Sequence, residues 1–487
     1  MRAALLASPV LASSLLAAAL ASPSPAAAAP PLSGPVSGGR ACSGVSSDFD
    51  GDGRADLAVA APYATVRGHA RAGSVTILYG MRTERRLTQD GPGVPGEAET
   101  GDAFGSALAT GDFDGDRCAD LAVGVSEEDR AGSGADGRGT VQLFRGSPDG
   151  LRPGAVLDAG DLGRRRGPDR FGAALAAGDL DGDGDDELVI GIPGLGGGGV
   201  GVYGLAGRRP YVITQESRWV DQSERATDQF GSVLATGDFD GDGRAEIAAG
   251  APADTVLKNG QGSVTVLDVR RRRAVQLTQD SPWITGRAEP WDAFGAALAT
   301  GDFNADGRGD LAIGVPGEGL TANQRAMDYG DGTVVVVYGA RGGLRTATSE
   351  AWSQRGLKGR PRYSDRFGAA LASGDFNGDG DDELAIGVPG ENAVQVLAGT
   401  RSGGLTKQND LLVTGGGGDF GAALAAVPGR GPGQGLVVAA PGDGRLTLLR
   451  GSVRKGAHPG LRPATAATFA TSAGDTLFGY AITRSGS

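Results

Sequence analysis

Six stretches of the chain repeat one spacing of oxygen-bearing side chains, and the spacing suits a hard divalent cation. They are Asp48, Asp50, Asp52 and Asp56; Asp112, Asp114, Asp116 and Asp120; Asp179, Asp181, Asp183 and Glu187; Asp238, Asp240, Asp242 and Glu246; Asp302, Asn304, Asp306 and Asp310; and Asp375, Asn377, Asp379 and Glu383. In each, side-chain oxygens fall at positions 1, 3, 5 and 9 of a nine-residue turn, with a backbone carbonyl at 7. Ca²⁺ takes roughly six to eight oxygens at about 2.4 Å, and a glycine at position 6 lets the chain fold back to deliver them.

Two other readings fit less well. An EF-hand loop needs a bidentate Glu at position 12 and flanking helices, whereas position 12 here is apolar, as in Val59 and Val123. Plain Asp-Gly turns would crowd like charges six times over with nothing to relieve the repulsion. The loops hold 26 of the 58 acidic residues, leaving 32 to face 46 basic ones. Up to six Ca²⁺ would therefore offset the formal net charge of −12. Arg117 replaces the position-6 glycine of loop two and Ala305 the position-4 glycine of loop five, so these two are expected to be poorer sites. Asp310 ends an Arg-Gly-Asp triplet, but as position 9 it is expected to face a metal rather than a partner.

The loops sit inside a longer repeat. Copies such as "FGSVLATGDFDGDGRAEIAAGAP" from Phe230 and "FGAALASGDFNGDGDDELAIGVP" from Phe367 recur, and successive Phe-Gly pairs lie 67, 59, 64, 73, 53 and 58 residues apart. After each loop comes an apolar run, ending in Gly-x-Pro or Ala-x-Pro in all copies but the second, then a segment such as "GSVTVLDV" at Gly262 and, in several periods, one such as "QLTQDSPW" at Gln276. With 88 glycines and only 5% aromatic residues, the composition favours short strands and tight turns. Four antiparallel strands per period predict an all-β fold, a β-propeller with one blade per period. The copy beginning at Ser46 lacks a Phe-Gly strand, and Phe478-Gly479 lacks a loop. Together they make one blade, so the expectation is seven blades closed by pairing of the N- and C-terminal segments. A degenerate copy from Phe420 carries no acidic loop.

Residues 1–29, with Arg2, an alanine-rich apolar run and Ala27-Ala28-Ala29, read as a secretory signal peptide. Residues 30–45 read as a Gly- and Pro-rich linker and 46–487 as the propeller. No later stretch reaches the roughly 18 apolar residues of a spanning helix, so stable membrane insertion is not expected. The only two cysteines, Cys42 and Cys118, are expected to form a disulfide in an oxidising compartment.

These motifs together resemble the FG-GAP repeat family, which includes the N-terminal propellers of integrin alpha subunits, and most closely its secreted, repeat-only actinobacterial members. The resemblance implies structural calcium in the blade loops and ligand binding on the face opposite to them. That face would carry the segments before each Phe-Gly pair, where all four tryptophans stand: Trp219, Trp283, Trp291 and Trp352. The expected function is a secreted, monomeric calcium-binding module for extracellular protein or glycan ligands. The alternative is a hydrolase or lyase acting on polysaccharide or phosphoester. Only His69 and His458 are present, so no repeated histidine site is available to it. Arg270–Arg273 is expected to be a solvated turn, and an acidic chain is not expected to bind nucleic acid.

Overall fold

The computed structural model describes Cys42 and residues 47–129, 137–164, 167, 169–204, 207–319, 330–429, 433–453, 456–470 and 479–483. Met1–Pro30 forms one unit and Pro31–Ser487 another. The signal-peptide segment lies outside the described residues, as does all of the linker except Cys42.

The second unit is a seven-bladed β-propeller. In blade two, strands Phe104–Gly111, Asp120–Val125, Thr140–Arg145 and Arg152–Leu157 pair antiparallel in sequence order, and five further blades repeat the order. Blade one contributes only Leu57–Ala61, Ser74–Tyr79 and Thr83–Leu87 in sequence. Its inner position is taken by the C-terminal segment: Val59 bridges Ile482 antiparallel, and the Ala60 amide donates to the Ala481 carbonyl at 2.9 Å. The ring is thus closed by both ends of the chain, as expected, with Phe478 outside the described residues.

Phe-Gly was expected to open the first strand of each blade, as Phe104 does in blade two, but in the following blades the strand starts later and the pair acts mainly as a clasp on the blade before. In blade five the regular strand, Ala297–Gly301, begins only after Gly295, which takes φ 90° and breaks the extended run. Phe294 instead pairs in parallel with Gly262 of blade four, and a Cβ on Gly262 would stand 2.3 Å from the Phe294 carbonyl oxygen. The Gly295 carbonyl in turn lies 2.5 Å from where a Cβ on Gly250 would sit. Both glycine motifs therefore answer to one contact: the clasp comes so close that neither strand of the preceding blade tolerates a side chain there. The Phe294 ring is fully buried in a cluster with Phe239, Val264 and Ile313, and such burial contributes about 1.5–3 kcal/mol. Equivalent clusters fill the other interfaces, down to Leu57, Val59, Ala439 and Ile482 where blade seven meets blade one. The inner strands are rich in alanine and line a central cavity of about 400 Å³.

Antiparallel order puts the acidic loops, which join strands one and two, on the same face as the strand three to four turns. The other two sets of connections share the opposite face.

Candidate metal centres

Each acidic loop is wound around its own carboxylates. The position-1 carboxylate accepts the amide of position 6 in all six, for example Gly53 to Asp48 at 2.9 Å, Arg117 to Asp112 at 2.8 Å and Gly307 to Asp302 at 2.8 Å. Position 5 caps the amide of position 7, as Asp52 does for Arg54 at 2.8 Å and Asp379 for Asp381 at 3.4 Å. Position 9 reaches back to the amide of position 2: Asp56 to Phe49 at 2.8 Å, Glu246 to Phe239 at 2.9 Å, Asp310 to Phe303 at 2.9 Å. In the three aspartate copies its second oxygen accepts an amide of the strand three to four turn, from Gly80 at 2.7 Å, Gly146 at 2.8 Å and Gly339 at 2.8 Å.

This wrapping brings oxygens together. One oxygen each from Asp48, Asp50 and Asp56, from Asp112, Asp114 and Asp120, from Asp179, Asp181 and Glu187, and from Asp238, Asp240 and Asp242 lie within 4.8 Å of one another. In loop six the trio is Asp379, Asp381 and Glu383. Asp381, at position 7, escaped the sequence reading because that position was assigned a backbone carbonyl. An acid at 7 was visible but did not decide the matter, since Asp185 of loop three stands at the same position outside its trio; in the fold Asp381 is only 4% exposed. Asp52, Asp116, Asp183 and Glu246 stand outside these trios, as do Asp375 and Asn377, and loop five forms none among the described residues. Asn304, Asp302, Asp306 and Asp310 nevertheless keep the loop geometry of the other copies. Arg117 and Ala305 stand at φ 67° and 52°, where the other copies have glycine, so both departures preserve the turn at the cost of a left-handed side-chain residue.

The fit to a cation rests on oxygens left without partners. Asn304 Oδ1 and Asn377 Oδ1 are buried and accept no hydrogen bond, and Asp114 has only Arg145 at 3.3 Å on Oδ2. A group bound at such a place would satisfy them. Burial also pushes the position-9 carboxyls far above their usual range: Asp56 to about 7, Asp120, Glu187, Glu246 and Asp310 to about 8, and Glu383 to about 10. Without a positive charge nearby, burial favours the protonated form of these groups.

Arginines intrude on this face, which was not foreseen: Arg54, Arg244 and Arg308 each approach the position-5 aspartate of their own loop, at 3.5, 3.5 and 3.1 Å. Arg145 pairs with Asp114 in loop two. The Arg270–Arg273 turn is not simply solvated: Arg271 reaches Asp240 and Asp242 of loop four, at 2.6 Å each, and Asp268 at 3.1 Å. Blade four has Asp268-Val269 where blade five has Tyr338-Gly339, which turns a guanidinium toward the loop. The loops are also chained around the ring. The position-8 amide of loops two to six donates to the position-1 carbonyl of the loop before it, from Ala119 to Asp48 at 3.2 Å, Asp186 to Asp112 at 2.8 Å and Gly309 to Asp238 at 2.7 Å among them. The Cys42–Cys118 disulfide forms as expected, with Cα atoms 5.0 Å apart, and ties the N-terminal segment to position 7 of loop two. Asp310 is fully buried, so the Arg-Gly-Asp triplet cannot offer its carboxylate to a partner.

The opposite face carries a different set of acids, the glutamates half-buried and the aspartates buried. Gln89 donates to Glu128 at 2.6 Å, Gln279 to Glu318 at 2.6 Å and Gln354 to Glu391 at 2.7 Å, each pair linking neighbouring blades. Asp102 and Asp292, two residues before Phe-Gly, accept the amides of Glu99 and Glu289 at 2.6 and 2.5 Å. The tryptophans divide: Trp219 and Trp352 pack against the interface clusters, while Trp283 and Trp291 are 68% and 51% exposed. His69 and His458 are both exposed and belong to blades one and seven.

A seven-bladed ring with an acidic nine-residue loop in six blades defines a class of repeat propeller. The FG-GAP repeat matches this chain six times, over residues 43–78, 104–144, 171–204, 230–267, 294–337 and 367–405. The protein is an FG-GAP repeat β-propeller of the integrin alpha-like kind. It is 30% identical over 245 residues to integrin alpha-PS2 of Drosophila melanogaster, covering 47% of this chain and 16% of that protein. It is 33% identical over 190 residues to the phosphatidylinositol-glycan-specific phospholipase D of Rattus norvegicus, covering 37% of this chain and 22% of that protein. The chain thus spans less than a quarter of the length of these relatives. Among solved structures it overlaps a periplasmic gluconolactonase of Pseudomonas aeruginosa at 16% identity and a TM-score of 0.44, covering 86% of this chain and 99% of the other.

Proposed function

We propose that this propeller is an exported module that binds Ca²⁺ in its acidic loops and extracellular protein or glycan ligands on the opposite face. The observation that carries the metal reading is the sixfold winding of backbone amides around carboxylates, with buried Asn304 and Asn377 oxygens left over. The ligands to the ion would be drawn from Asp48, Asp50, Asp52 and Asp56 and from the corresponding groups of the other five loops. Ca²⁺ would supply positive charge that holds position 9 ionised and locks each loop to its neighbour; its role here is structural, and no substrate chemistry is assigned to it. Residues 1–29 would direct export and be removed, residues 30–45 would be a linker, and the disulfide suits an oxidising compartment. The described residues contain no helix long and apolar enough to cross a membrane.

Calorimetric titration of chelator-stripped protein with Ca²⁺ tests the metal reading. Several bound ions per chain, with heat lost when Asp48 and Asp375 are replaced by Asn, are the expected result. A flat titration overturns it. Calcium-loaded protein retained on cells or on immobilised glycan, and released by chelator, is the expected outcome for the binding role.

A further inference from the structure

Two connections of this ring have the same length and, at most positions, the same hydrogen bonds. One joins blade one to blade two, "TQDGPGVPGEAETGDAFG" from Thr88, and the other joins blade four to blade five, "TQDSPWITGRAEPWDAFG" from Thr278. Gly91 and Ser281 donate to the Thr88 and Thr278 carbonyls at 2.9 Å in both. Val94 and Ile284 continue the turn at 3.1 Å, and Gly101 and Trp291 donate across to the blade behind at 3.0 and 2.9 Å. Within this shared backbone, ahead of Phe-Gly, four positions take a positive φ: Gly96 and Gly286 share one, Ala103 and Ala293 another, and the remaining two differ in residue type. The first connection fills them with Gly93 at φ 75° and Gly101 at φ 107°, the second with Trp283 at φ 83° and Trp291 at φ 71°.

A bulky residue at such an angle is strained, and these two gain little burial in return. Glycine is the residue the backbone asks for, and the sister connection has it. A second exchange accommodates one of the rings. Arg71, whose carbonyl accepts from Ala103, corresponds to Gly260, whose carbonyl accepts from Ala293. Three atoms of the six-membered ring of Trp291 lie 2.5, 2.9 and 3.3 Å from where a Cβ on Gly260 would stand, so the indole lies against bare backbone there while the side chain stays 51% exposed. The Trp283 segment is pinned to the outer strand of blade five, where Ser349 Oγ donates to the Trp283 carbonyl at 2.5 Å and accepts from the Thr285 amide at 2.8 Å.

Resting on the binding role proposed above, we infer that Trp283 and Trp291 form a carbohydrate-binding platform on the blade four to five connection. Exposed indoles carried on a braced backbone suit the C–H faces of sugar rings, which combine apolar patches with hydroxyl edges. Between the two indoles, Ile284 and Ala288 are buried, while Thr285 and Arg287 are exposed. The chain between the indoles thus exposes polar groups, of which the Thr285 hydroxyl already donates to the Ser349 carbonyl at 2.9 Å and Arg287 offers its guanidinium to sugar hydroxyls. A protein hot spot or a bilayer would instead favour a continuous apolar patch.

The double variant Trp283→Gly/Trp291→Gly tests this, because it installs the residues of the sister connection and so relieves strain instead of opening a core. Calcium-loaded wild type and variant are run on an array of cello-, xylo-, manno- and chito-oligosaccharides, with tryptophan emission followed during titration of any oligosaccharide that binds. The expected result is retention of one or more of them by the wild type, an emission blue shift, and loss of about tenfold or more in affinity in the variant, at an unchanged or higher Tm. Equal retention by both proteins overturns the platform while leaving a glycan-binding role elsewhere intact. Failure of the wild type to retain any of these sugars overturns the inference, and capture by phosphatidylcholine vesicles or by deglycosylated cell-surface protein that the variant loses would then assign the indoles to another partner.

Discussion

Both faces of this ring bury carboxylates between blades, but they compensate them differently. On the opposite face, Glu318 receives the Gln279 amide and Asp292 the Glu289 amide, while burial pushes Asp292 to about 8 and Glu128 to about 7. These acids meet neutral donors one at a time and are suited to holding a proton. On the loop face, backbone amides fix the carboxylates of positions 1, 5 and 9 with oxygens left converging, and trios approach within 4.8 Å. Similar burial therefore makes one face a set of hydrogen-bonded staples and the other a set of cages for positive charge.

The largest expected effect follows from removing that charge. A ligand held at a hundred times its Kd adds about 2.7 kcal/mol to the folded state, so several occupied loops together should dominate stability. Chelation is expected to lower Tm by well over about 10 °C, and unchanged melting would remove the distinction between the faces. Next comes Asp310→Asn. It leaves the Phe303 or Gly339 amide facing an NH₂ group, and a buried donor without its acceptor costs about 1–3 kcal/mol. Scanning calorimetry should show that loss with calcium and less without it; an equal loss in both states would mean that Asp310 serves the turn alone.

Much of this was legible in the sequence because the same physics is written six times. The period gave the blades, and position 9 was identifiable because it opens a buried strand. Three features were not legible, each because it depends on contacts between distant residues. The Phe-Gly turn looked like strand because its glycine partners, such as Gly250 and Gly262, lie in the preceding blade. Arg271 looked solvated because its partners, Asp240 and Asp242, are about thirty residues away. Trp283 and Trp291 were visible as aromatics before Phe-Gly, but only the backbone shows that they occupy glycine positions.

A smaller effect concerns pH, and its sign differs between calcium states. Asp120 and Asp310, ordinarily near 3.8, are raised to about 8 in the metal-free fold. Between roughly pH 4 and 8 the folded state then binds more protons than the unfolded, so stability falls as pH rises through that window. Acidifying chelated protein from pH 8 to 6 should raise its Tm. With calcium the loop carboxylates are held ionised, acid competes with the ion, and the same change should lower Tm. Parallel slopes in the two states would contradict the assignment of position 9 to the cation.

The smallest expected effect isolates the opposite face. Gln279→Met keeps the length of the side chain and deletes the amide that Glu318 accepts. Glu318 is already raised by burial and crowded by the charge of Glu289, so it would take up a proton more readily instead of staying ionised without its donor. The loss should be about 1 kcal/mol, near the limit of chemical denaturation. Its diagnostic property is independence from calcium: the same decrement should appear in loaded and chelated protein, because nothing in this staple needs a divalent ion. A decrement that grows on chelation would show the two faces to be coupled through the blade, and the division between staples and cages would then describe one cooperative interface instead of two.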